Sequence, residues 1–197
     1  MRRIAAFSAA LVGILATIAL PASPASAYNL FNCKFNADGN ALKWQPAITD
    51  SSYSTPAVDA INSWNSASTQ FNFTKVTSGA NVRVADGNFG QVWHELSFYG
   101  IALDIYQNNP VQYSCSGGTW DTTIVAWWNR YYTDSFSAQK RQAIMVHEVG
   151  HALGLAHSNG ANCADGRIMA TDVVAQYNSC GIARPMSDDI AGANAIY

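Results

Sequence analysis

Charge is what this chain has least of. Lys, Arg, Asp and Glu make up 12 % of its 197 residues, about half the usual share for a soluble domain. Without a basic cluster there is nothing to track a phosphate backbone, so no nucleic-acid partner is expected. No C-x₂-C pair occurs anywhere, which removes the usual thiolate zinc sites. Long apolar runs are missing as well. The one candidate, Ile4 to Leu20, covers about 17 residues, short of the roughly 20 that a membrane-spanning helix needs. Glutamate occurs only as Glu95 and Glu148, and histidine only as His94, His147, His151 and His157.

The N-terminal run has its own grammar. Arg2 and Arg3 precede it, and Pro21, Pro24 and Ala25-Ser26-Ala27 follow it. A basic start, an apolar core and a small-x-small end read as a secretory signal peptide over residues 1–27, cut after Ala27. The expected mature chain, 28–197, is long enough for one domain with a core. Without Arg2 and Arg3, 9 basic side chains face 13 acidic ones, a formal charge of −4. Aromatic residues reach 12 %, which excludes disorder. We expect a secreted, extracellular monomer with no membrane attachment once the signal is removed. Cys33, Cys115, Cys163 and Cys180 are an even set in an exported chain, which reads as two disulfides with three possible pairings.

Periodicity places the elements. Thr55-Pro56 reads as an N-cap and first turn, with Ala57, Ile61, Trp64 and Ser68 on one face of the helix that follows. Phe71-Asn72-Phe73, Val82-Arg83-Val84 and Ile101/Leu103/Ile105 alternate as half-buried strands. Asp86-Gly87-Asn88 reads as a turn between them, and Thr122 to Trp128 as a buried strand. A second helix is expected from near Ser137 to about Leu153, stopped by Gly154, and a last one from Ser187 to Tyr197 with Asp188 and Asp189 in its first turn. The order defines an α+β domain.

The chemistry lies in residues 147–157, His-Glu-Val-Gly-His-Ala-Leu-Gly-Leu-Ala-His. On a helix His147 and His151 differ by about 40° around the axis and about 6 Å along it, so both imidazoles can reach one ion. Gly154 lets the chain turn out of the helix and bring His157 in as a third ligand. A catalytic zinc keeps its fourth position for water, and Glu148 stands where it can act on that water as a base. A bare H-E-x-x-H arises easily by chance. This longer form takes three of the four histidines and one of the two glutamates.

The spacing resembles the H-E-x-x-H-x-x-G-x-x-H motif of the metzincin metallopeptidases, and Ile168-Met169-Ala170 resembles their methionine turn. Within that group, Ser187-Asp188-Asp189-Ile190-Ala191-Gly192 and Ala195-Ile196-Tyr197 are similar to the C-terminal helix of the matrixins. Pro56 to Trp64 is similar, more loosely, to their first helix. The resemblance implies a metzincin-like zincin fold: a twisted mixed β-sheet, an active-site helix, a methionine turn and a C-terminal helix. It also implies a zinc endopeptidase acting on proteins or peptides, with one catalytic Zn²⁺ on His147, His151 and His157, Glu148 as the catalytic residue, and Met169 as an apolar floor. The substrate would lie extended along an edge strand, near 100–105 or in the run before Thr122.

Several features depart from that family. Only His94 remains for a structural zinc site, so none is expected. No cysteine-bearing propeptide motif or hemopexin domain is recognised. Thr171 stands where a tyrosine would mark other subtypes, and His157 stands where related small bacterial enzymes carry Asp. Ca²⁺ has only Asp86, Asn88 and Asp104 as possible ligands. Cys163 and Cys180 flank Met169, so we expect them to pair and tether the irregular pocket loop, which leaves Cys33 with Cys115. The alternative function is a catalytically dead binding module on the same scaffold, which intact ligands and an intact base disfavour.

Overall fold

The computed structural model describes residues 28–105 and 115–197; the signal segment, 1–27, lies outside them. The framework is a five-stranded sheet. Its strands are β2 (Ala41–Ala47), β3 (Asn72–Lys75), β4 (Val82–Gly87), β5 (Gly100–Asp104) and β8 (Ile124–Asn129), in the order β3-β2-β4-β8-β5. β2, β3, β4 and β8 run parallel, and β5 pairs antiparallel with β8 at the edge. Of the two edge candidates, β5 is the sheet's edge strand. Cys115–Ser116 (β6) and Thr119–Trp120 (β7), in the run before Thr122, form a separate small hairpin.

Alternation builds the sheet's inner face. Leu42 and Trp44 of β2, Val82 and Val84 of β4, and Ile124, Ala126 and Trp128 of β8 are all buried. Against them pack α1 (Ser54–Asn65) and α3 (Ala138–Leu153). Two indoles tie this layer together: Trp64 Nε1–H donates to Val146 O at 3.0 Å, and Trp128 Nε1–H to Arg141 O at 2.8 Å. α3 is buried almost all round, because α4 (Val173–Cys180) and α5 (Ser187–Ile196) cover it as well. A short helix α2 (Arg130–Thr133) joins β8 to α3.

Three local expectations are corrected. Asp86 and Gly87 form no turn; they complete β4. The buried Asp86 carboxylate accepts from Thr49 N–H and Oγ1–H, both at 2.6 Å, and from Asp50 N–H at 3.2 Å. Thr55 is not an N-cap, because α1 starts at Ser54, straight after a 3₁₀ turn whose cap is Asp50. Pro56 still falls in the first turn, where a missing N–H costs nothing. The segment after Met169 is not irregular throughout: α4 fills it, capped by Asp172, whose side chain accepts from Ala175 N–H.

Candidate metal centre and active site

α3 opens with Ser137 as its cap, its Oγ accepting from Lys140 N–H, and closes at Gly154 with φ 107°. That left-handed turn sends the chain into β9 (Leu155–Ala156), which pairs antiparallel with β1 (Asn29–Leu30). His157 follows at once. The structure thus brings the three predicted ligands together: His157 Nε2 stands 3.2 Å from His147 Nε2 and 3.1 Å from His151 Nε2. Ligands of one tetrahedral ion with bonds of about 2.0–2.1 Å stand about 3.3 Å apart, so the spacing fits zinc.

The outer nitrogens fix the tautomers. His147 Nδ1–H donates to Ile168 O at 2.7 Å and His151 Nδ1–H to Leu155 O at 2.8 Å. Both Nε2 lone pairs are thereby turned inward, as ligation requires. Burial lowers the pKa of His147 to about 4, of His151 well below its ordinary value, and of His157 in the same direction. With the His157 proton on Nδ1, its Nε2 lone pair joins the other two and all three face the point where one cation would be ligated. Among the described residues this is the one cluster of three or more His, Cys, Asp or Glu side chains that could hold a metal. Asp86, Asn88 and Asp104 form no such group, and calcium gains no support.

Below the triad Met169, 1 % exposed, packs on the backbone of α3. A Cβ added to Gly150 would meet its sulfur at 2.3 Å. The methionine turn is held by hydrogen bonds on both sides. Ser158 N–H donates to Met169 O at 2.9 Å, while the Asp189 carboxylate accepts from Ile168 N–H and Met169 N–H. Sequence reading gave Asp189 a helix-dipole role only; nothing in the spacing points to this second one.

Glu148 is buried at the rim of the same cleft, and burial pushes its carboxyl well above the ordinary range. It lies against Gly100 of β5, where a Cβ would come within 2.7 Å of Glu148 Cγ and Oε1. The cleft, about 770 Å³, runs past the triad between β5, the start of α4 and the N-terminal residues Asn29 and Phe31, which sequence reading missed. Cys33 is joined to Cys115, and Cys163 to Cys180. Cys33 is therefore no free thiolate for capping the metal.

A mixed sheet over a helix carrying two histidines, a third histidine beyond a glycine turn and a methionine floor together define a metzincin-type metallopeptidase fold. Residues 40–197 match the family model of the matrixin peptidases, and the chain belongs to that family. Membership brings a zinc metallopeptidase-type function and protein substrates as a class. No curated protein matches the chain.

Proposed function

We propose that the chain is a secreted endopeptidase that hydrolyses internal peptide bonds, with zinc on His147, His151 and His157 and Glu148 as general base and then general acid. The observation that carries this reading is the convergence of three inward-facing Nε2 atoms in the cleft that also holds Glu148. Zinc held there supplies Lewis acidity, acidifying a water and polarising the scissile carbonyl. The Glu148 carboxylate takes the proton from the attacking water and returns it to the departing amide nitrogen. Among the described residues β5 is the last strand of the sheet on its side, and an extended substrate would add beside it as a further strand through backbone hydrogen bonds.

Two disulfides support export to an oxidising compartment, and among the described residues no helix is long and apolar enough to cross a membrane. β1 is already part of the fold at Asn29, which supports a catalytic domain starting at Tyr28. Cleavage profiling on proteome-derived peptides, with and without a zinc chelator, tests the function. Glu148→Gln should keep about one zinc per chain while kcat falls about 10²-fold or more; near-normal turnover would remove Glu148 from its role. A wild-type chain that holds zinc but cuts no peptide would favour the binding-module alternative.

A further inference from the structure

Residues 28–35 precede the segment matched by the family, yet they reach the metal centre. β1 pairs with the two residues just before His157, and Asn29 Nδ2–H donates to His157 O at 2.8 Å. Phe31 N–H donates to Gly154 O at 2.8 Å, and the Phe31 ring stands 5.6 Å from that of His151. Asn29 and Phe31 line the cleft together with the triad and Glu148.

This strap is anchored at several points. Past a left-handed Asn32 (φ 57°), the buried Cys33 is bridged to Cys115. Lys34 N–H donates to Gly118 O, and Trp120 N–H to Lys34 O. Phe35 N–H donates to the Tyr197 hydroxyl at 3.3 Å. A Cβ on Gly154 would come within 2.1 Å of Cys33 O. Gly154 is thus required twice, for its positive φ and for the passage of the strap.

We propose that this strap is a working wall of the substrate cleft, with Phe31 as a specificity-determining residue that receives an apolar side chain of the peptide. The proposal rests on the peptidase reading above. Its chemistry follows from the lining. Among the described residues no Lys or Arg lines the cleft, and one oxygen of the exposed Asp172 carboxylate there caps α4. Phe31, Leu96, Ala156 and Val173 present apolar surface instead. An anionic substrate side chain placed there would lose hydration without gaining a Lys or Arg partner, whereas an apolar one gains by burial.

The test compares wild type, Phe31→Ala and Phe31→Leu on fluorogenic peptides that carry Leu or Ser at each position flanking the cleaved bond in turn. At one position, Phe31→Ala should raise KM for the Leu peptide about tenfold, leave kcat and zinc content near wild type, and barely affect the Ser peptide. Phe31→Leu should restore most of the loss. Equal losses on both peptides, or loss of zinc, would reduce Phe31 to a structural role and overturn the proposal. A gain of kcat/KM on both peptides would overturn it as well, by making the strap an obstruction. Anisotropy binding of the same peptides to zinc-loaded Glu148→Gln, with and without Phe31→Ala, gives the answer without turnover. Absence of cleavage by wild type would then count against the peptidase reading, and unchanged peptide affinity against the role of Phe31.

Discussion

The Asp189 carboxylate, on the first turn of α5, accepts the backbone N–H of Met169 at 3.2 Å and that of Ile168 at 2.9 Å. It also accepts Met186 N–H at 2.8 Å. Because Ile168 O accepts from His147 Nδ1–H, one carboxylate orders a chain of bonds that ends on a metal ligand. Outer partners of this kind orient the ligands they support.

Asp189→Ala leaves these donors without an acceptor in a site 1 % exposed. Each buried N–H left unpaired costs about 1–3 kcal/mol, so denaturant unfolding should show a loss of at least about 2 kcal/mol, together with easier zinc removal by chelators. Asp189→Asn keeps one acceptor oxygen and should lose less. Burial, the largest influence, raises the Asp189 carboxyl above its ordinary value, against the three N–H donors. The folded chain therefore holds this proton more tightly than the unfolded chain. The stability this confers is full in acid and is lost as pH rises from the ordinary carboxylate value through the raised one. Across that window wild type should lose stability relative to Asp189→Asn; a relative gain would show that the hydrogen bonds outweigh burial.

Gly150→Ala sets two known effects against each other. In an open helix the change gains about 1 kcal/mol. Here the new Cβ would stand 2.3 Å from Met169 Sδ and 3.3 Å from Trp64 Cζ2, both of them buried. Overpacking of this kind costs about 1–3 kcal/mol, and Asp189 restrains the backbone of Met169 from moving away. Calorimetry should find a lower Tm, and zinc competition a weaker site. Pairing the change with Met169→Ala should recover part of the loss, because the two sites share the same space.

The sequence was most legible where one periodic pattern ran through a whole element. α3 was readable from Ser137 to Gly154, and its histidines from their spacing, because cap, period and stop agree. β2 was harder to see, since Pro46 sits inside it. Pro46 lies beyond the pairing with β3, which ends at Trp44, so β2 there has a neighbour on one side only and a missing N–H is tolerated. α4 is short, and its polar face hid it in a segment read as loop. The parts of the site that come from far along the chain left no local mark at all. Phe31 beside His151, Gly100 beside Glu148 and Asp189 beneath Met169 depend on tertiary packing, which spacing does not encode.

The Cys163–Cys180 bridge closes a sequence separation of 17 residues, worth about 3 kcal/mol in the chain-entropy view. It ties the 3₁₀ turn Cys163–Asp165 to the end of α4, whose first residue, Val173, lines the cleft. Replacing both cysteines with alanine should lower unfolding stability by about that amount and raise KM. Zinc content should hold, because neither cysteine touches the triad. Steady-state kinetics beside metal analysis would separate these outcomes.

Gly100→Ala addresses the base without touching a ligand. Gly100 needs no left-handed backbone, so the restriction is one of space: its Cβ would meet Glu148 Cγ and Oε1 and Ile144 Cγ2, each at 2.7 Å. Ile144 is fully buried in α3 and cannot retreat, so Glu148 must rotate away. Misplacing a reacting group by about 1 Å can cost about 10²-fold in rate. The three imidazoles are held by Ile168, Leu155 and the turn at Gly154, whereas the atoms nearest a Gly100 Cβ belong to Glu148 and Ile144. Gly100→Ala should therefore keep one zinc per chain while kcat falls about 10- to 100-fold, and the contact with Ile144 should cost about 1–3 kcal/mol of stability. Serine should do no better, since its Cβ takes the same place. Loss of zinc in step with activity would show that the edge strand supports the metal centre as a whole, and unchanged kcat would show that Glu148 has a second working position.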